Sequence, residues 1–275
     1  MKRKILQMSL VLTISVLLFS CAKDETVEPM MENYLKVAEA TSSNSSFNIE
    51  LYAIDSLFVG YNKVYFKLTN KSDGQAITQA TLNLHPLMDM VTFSHACPFE
   101  NPASTANAQG YFQGAILFSM PGTNSWTADV DINANGLTET AHFAFPKVIA
   151  TNPVCKIVVI DSLQNSPGNW TISKYPISLV MPDSWKVGIN DFEITIHKMA
   201  SMMSFPAVTH LTVEITPEMP SMGHGSPNNV NPVHTENGHY KGKVNFTMTG
   251  DWRIHLTIKK GDRLITNKAF FDLYF

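Results

Sequence analysis

Alternation of apolar and polar positions is the strongest signal along the chain. Val64, Phe66 and Leu68 alternate with more polar neighbours, and so do Phe192, Ile194 and Ile196. Ala80, Leu82 and Leu84 repeat the pattern, as do Leu211, Val213 and Ile215. Val244, Phe246 and Met248 share one face; a turn containing Gly250 then leads to Trp252, Ile254, Leu256 and Ile258. A period of two puts alternate side chains on one face, so each run predicts a half-buried strand. Lys71-Ser72-Asp73-Gly74-Gln75 reads as a turn, and residues 270–275 read as a closing strand.

The runs recur at a fixed spacing. Gly60-Tyr61-Asn62 and Gly188-Ile189-Asn190 each open an alternating run, and they lie 128 residues apart (188 − 60). Gly110-Tyr111-Phe112-Gln113-Gly114 parallels Gly238-His239-Tyr240-Lys241-Gly242, and Phe118-Ser119-Met120 parallels Phe246-Thr247-Met248, at the same offset. Trp126 and Trp252 follow, 126 apart (252 − 126) and expected in the core. Constant spacing over this length reads as a tandem duplication. Many short strands per copy predict an all-β chain of two tandem immunoglobulin-like β-sandwiches, over 46–164 and 165–275. The boundary falls at Asn165-Ser166-Pro167-Gly168-Asn169.

Composition agrees. The 275 residues are 44% hydrophobic and 16% charged, enough apolar material for packed cores and too little charge for disorder. Twenty basic and 23 acidic residues give a net charge of -3, so no surplus exists to neutralise phosphates and nucleic acid is not an expected partner. Three cysteines exclude a disulfide-dense miniprotein and a four-cysteine zinc module.

The N-terminus reads as an address. Lys2, Arg3 and Lys4 precede an apolar run from Ile5 to Phe19, of signal-peptide length. Leu18-Phe19-Ser20-Cys21 resembles a bacterial lipobox, which implies a signal peptide over 1–20 and lipidation of Cys21. Lys23-Asp24-Glu25 resembles the export signal of Bacteroidetes surface lipoproteins. Residues 21–45, Ser-rich at 42–46, are expected to be a flexible tether. Together these place the protein in the cell envelope as an outer-membrane lipoprotein, held to the membrane by acyl chains.

The candidate chemistry is sulfur and imidazole. The chain has 14 methionines, and Met219-Pro220-Ser221-Met222-Gly223-His224-Gly225 places two of them beside a histidine, with His234 as a further candidate. Thioether and imidazole together suit Cu(I), and the glycines permit the loop to curl around an ion. The matching region of the first copy carries His85, Met88, Met90, His95 and Cys97, a second candidate metal site with a different order of ligands. Methionine as core filler is the competing reading for Met88 and Met90. Cys97 could instead pair with Cys155. His197-Lys198-Met199 and Met202-Met203 form a third cluster, read as loop packing or partner contact.

Gly188-x-Asn190, Met219-Pro-x-Met222-Gly-His224-Gly and Gly238-x-Tyr240-x-Gly242 through Trp252 together resemble the YtkA-like/FixH-like family, over about residues 175–265. That resemblance implies a small β-sandwich, a link to copper delivery in some relatives, and Met219, Met222 and His224 as ligands. In the first copy the frame matches but the Met-Pro-x-Met-Gly-His string is absent. Gly-x-Ser-x-Gly, His-Glu-x-x-His and Walker-type motifs are missing, so a non-enzymatic role is expected. The expected function is copper capture or delivery, with a copper acceptor or another envelope protein as partner. The alternative is an interaction module of a surface lipoprotein complex.

Overall fold

A computed structural model describes residues 34–275, which lie within one compact unit. The expected signal peptide, Cys21 and the start of the tether lie outside the described residues. The first half contains β1 (Leu35–Thr41), β2 (Phe47–Ala53), β3 (Gly60–Asn70), β4 (Ala76–Ile77), β5 (Thr81–Asp89), β6 (Ser94–Ala96), β7 (Phe99–Glu100), β8 (Phe112–Phe118), β9 (Gly122–Ala134) and β10 (Leu137–Val148). The second half contains β11 (Lys156–Ser166), β12 (Asn169–Leu179), β13 (Gly188–Ile196), β14 (Thr212–Met219), β15 (His224–Gly225), β16 (Val230–His234), β17 (His239–Phe246), β18 (Asp251–Lys260) and β19 (Arg263–Tyr274).

The described residues are all-β, and they fold as two sandwiches. In the first, a sheet ordered β1-β2-β3-β8-β7, with β4 beside β3, faces a sheet ordered β10-β9-β5-β6. In the second, β11-β12-β13-β17-β16 faces β15-β14-β18-β19. Each pair of sheets encloses its own apolar core, one running from Phe47 to Val148 and the other from Val159 to Leu273. The alternating positions point inward as expected: Val64, Phe66, Leu68, Phe192, Ile194 and Ile196 are all fully buried. Met248 departs from its run, because β17 ends at Phe246 and leaves it partly exposed.

The recurring glycines and asparagines have a common physical basis. Asn62 accepts from Phe58 N–H and donates to the carbonyls of Phe58 and Gly60. Asn190 accepts from Lys186 N–H and donates to the carbonyls of Lys186 and Gly188. One amide thus satisfies three backbone groups where each sandwich enters its central strand. Gly60 and Gly188 take positive φ there, 128° and 102°.

Two expected boundaries move. The range expected as tether reaches into the fold, because Leu35–Thr41 pairs antiparallel with β2 and Val37, Ala38 and Ala40 pack on the first core. An edge strand exposes most of its side chains, so its composition resembles a linker. The stretch Asn165–Asn169 is no domain boundary. It is the turn of the β11–β12 hairpin, and the chain passes between sandwiches after Val148 and before Lys156.

The sandwiches are joined by a buried ionic node. His239 at the start of β17 contacts Glu193 at 2.5 Å through Nδ1 and Glu100 of the first sandwich at 2.6 Å through Nε2. Tyr61 donates to the same Glu100 at 3.0 Å. Lys156 Nζ donates to Ser119 O, and Ala96 N–H donates to Met202 O, both across the same junction. Burial works against charge on His239, but its hydrogen bonds to Glu100 and Glu193 outweigh that and raise its pKa from 6.5 to about 9. A raised folded-state pKa contributes stability that is complete below the unfolded value and fades as pH rises through the folded one. The gap in Tm between the native protein and His239→Gln should therefore be widest near about pH 6 and narrow towards about pH 9.5. A gap that does not change with pH would show that the charge plays no part.

Candidate functional site

The hairpin carrying Met219 and His224 sits at one end of the second sandwich. Met219 closes β14 and is cross-strand partner to His224 of β15. Residues directly opposite on an antiparallel pair hold their Cβ atoms about 4.5–5.5 Å apart on one face. Met222 and Gly223 N–H groups both donate to Met219 O, and Gly223 takes the positive φ (62°) that the tight connection needs. Ser221 is held from below by Asp251, through its N–H at 3.0 Å and its hydroxyl at 2.5 Å. Those bonds, the Ser221 hydroxyl foremost, keep the Asp251 carboxyl below its ordinary pKa.

The floor of this region is Trp252. Its ring lies edge-to-face with His224 at 5.8 Å and 87°, and its indole N–H donates to Met248 O at 3.0 Å. Met219 is 4% exposed, and its terminal methyl fills the space that a side chain at Gly250 would take. Met219 is therefore a core residue as well as the neighbour of His224. The Pro and Gly residues that follow it mark the turn, not the end of packing. Met222 stands at the tip, 61% exposed. His224 is half-buried, with Nε2 3.5 Å from Thr247 Oγ1. Met248, partly exposed beside this group, was not among the expected ligands. Its match with Met120 at the repeat offset was the available signal.

His234 is not part of this cluster. It lies on β16 in the opposite sheet, against Tyr240 at 5.4 Å. Tyr240 and Thr247 are seven residues apart along β17 and just beyond it, about 23 Å at the rise of a strand. Its buried Nε2 has no partner.

In the first sandwich the expected group divides. Met88 and His95 are cross-strand partners of β5 and β6. His85 points to the other face, where its Nε2 lies 3.0 Å from Asp131. Met90 packs partly buried on the core. Cys97 is a buried free thiol whose pKa burial pushes up, and Cys155 is also a free thiol. In the third cluster His197 is buried and pushed down to about 4 by burial, while Met199, Met202 and Met203 are exposed. Among the described residues no group of three or more His, Cys, Asp and Glu side chains is placed to hold a metal.

Residues 169–257 match the family model described as YtkA-like. The second sandwich is similar to YtkA-like domains over that range. The match takes in β12 through most of β18 and therefore the whole Met219–His224 hairpin. Comparison with curated proteins gives no match.

The packing of Met219 separates its core role from any role as a ligand. Met219→Leu conserves volume and should cost less than about 1.5 kcal/mol in chemical denaturation. Met219→Ala opens a cavity over Trp252 and should cost about 2–5 kcal/mol. Equal costs would mean that the methyl against Gly250 does not fill the core.

Proposed function

We propose that this chain is a lipid-anchored envelope protein that captures or passes on Cu(I) through the hairpin of its YtkA-like domain. The observation that carries this reading is the Met219–His224 pair set over Trp252, with Met222 exposed above it. The pair offers one thioether and one imidazole on a single face. Met222, at a tip joined by glycine, can swing towards or away from an ion without disturbing the core. Neutral nitrogen and sulfur donors without a carboxylate favour a soft monovalent cation over Mg²⁺ or Ca²⁺. Copper is the cargo in this reading, so the half-buried His224 and the exposed Met222 suit it: a partner's ligands can reach the ion while the buried Met219 and His224 still hold it. His234 takes no part. Cys21, lipidated after removal of residues 1–20, and the tether before Leu35 would hold the sandwiches at the outer membrane.

A second reading, an interaction module, is favoured by one surface. Val158, Ile160, Trp170 and Ile172 are 47–57% exposed, and the β11–β12 register places them on one face. An apolar strip of this kind on a sheet suits a protein contact.

The copper reading predicts that the purified full chain binds Cu(I) under reducing conditions, and that Met222→Ala with His224→Ala removes one equivalent. Unchanged stoichiometry and affinity in that double variant would remove the hairpin site.

A further inference from the structure

The first sandwich holds the same contact set in different sequence. His95 on β6 is opposite Met88 on β5, and Met88 is opposite Trp126 on β9, so the three form one row across the sheet. The His95 and Trp126 rings meet edge-to-face at 5.4 Å and 88°, against 5.8 Å and 87° for His224 and Trp252. Trp126 donates its indole N–H to Met120 O at 3.0 Å, as Trp252 does to Met248 O. The Met88 methyl lies 3.1 Å from where a Cβ on Gly122 would stand, as the Met219 methyl lies against Gly250. The Met-Pro-x-Met-Gly-His string is absent here, yet its spatial partners are present.

One feature goes beyond the Met219–His224 hairpin. His95 is 7% exposed, and its Nδ1 lies 2.9 Å from Ala96 O. A carbonyl can only accept, so Nδ1 carries the hydrogen, and in the neutral ring the lone pair is on Nε2. That Nε2 is buried and has no partner. A backbone carbonyl holding one ring nitrogen while the other is bare is the arrangement that orients a metal-ligating histidine. The row beside it supplies the thioether of Met88. Met120, 39% exposed, belongs to the segment whose carbonyl accepts from Trp126, which makes its thioether the candidate third donor.

We infer that His95 Nε2, Met88 Sδ and Met120 Sδ form a second soft-metal site in the first sandwich, selective for Cu(I) and independent of the hairpin site. Imidazole and thioether donors without a carboxylate set the metal class. The sites are also remote from each other. Ala96 meets the loop that follows Ile196, at the His239 end of β17, while His224 sits beside Thr247 past the other end. The strand between them spans about 25 Å. An ion therefore cannot pass directly between the two sites within one chain.

The test is titration of the purified full chain with Cu(I), anaerobically, against a chromophoric Cu(I) chelator, followed by Ag(I) as a redox-silent probe of ¹⁵N-labelled histidines. Two equivalents are expected. Met88→Leu with Met120→Leu conserves core volume and should remove one equivalent, as should His95→Ala. Met222→Ala with His224→Ala should remove the other. Ag(I) should shift the His95 Nε2 resonance in the native chain, a reading that needs no variant to fold. Full stoichiometry in the Met88/Met120 variant together with an unmoved His95 resonance would overturn the site. A single equivalent abolished by the Met222/His224 variant would sink the first-sandwich site and leave the hairpin standing. A single equivalent that survives there but is lost with Met88/Met120 would do the reverse.

Discussion

A buried indole N–H must find an acceptor, and in this protein that requirement organises both candidate sites. Trp126 and Trp252 are each 1% exposed, and each donates to a methionine carbonyl in the segment just ahead of its own strand. The bond draws that segment over the ring. The glycine after it, Gly122 or Gly250, then leaves room for the methyl of a methionine from the neighbouring strand. A histidine on the next strand packs edge-to-face on the same indole. Sulfur and imidazole are brought together by the packing of a tryptophan.

The two sandwiches share this arrangement but differ in exposure. His224 is half-buried under a glycine-linked tip, whereas His95 is enclosed with one nitrogen bare. The first arrangement suits rapid exchange of a ligand and the second suits retention. The His239 node between them is a different kind of contact. Two carboxylates hold one imidazole across the junction, and that pairing offsets the cost of burying the charge. It ties the first sandwich to the second.

Met219 shows why ligand types in a sequence string are an incomplete guide. Met219 and Met222 are three residues apart in one loop-like stretch, yet one is packed against Gly250 and the other is 61% exposed. A tight turn between them reverses the chain and sends their side chains to different environments. His234 fails for the complementary reason. It is near His224 in sequence, but the chain crosses from one sheet to the other between them.

The strands, their inward faces, the buried tryptophans and the repeated Gly-x-Asn entry points were legible from period and spacing alone, because a strand's faces follow from its own residues. The edge strand Leu35–Thr41 was hidden, since half-exposed edge residues carry little periodic signal. The hairpin at Asn165–Asn169 looked like a linker because turns and linkers use the same residues. What tertiary structure alone decided is which ligand types meet. Met88, His95 and Trp126 meet through cross-strand register, with the Met120 carbonyl bound to the indole, and those long-range pairings leave no local pattern in the sequence.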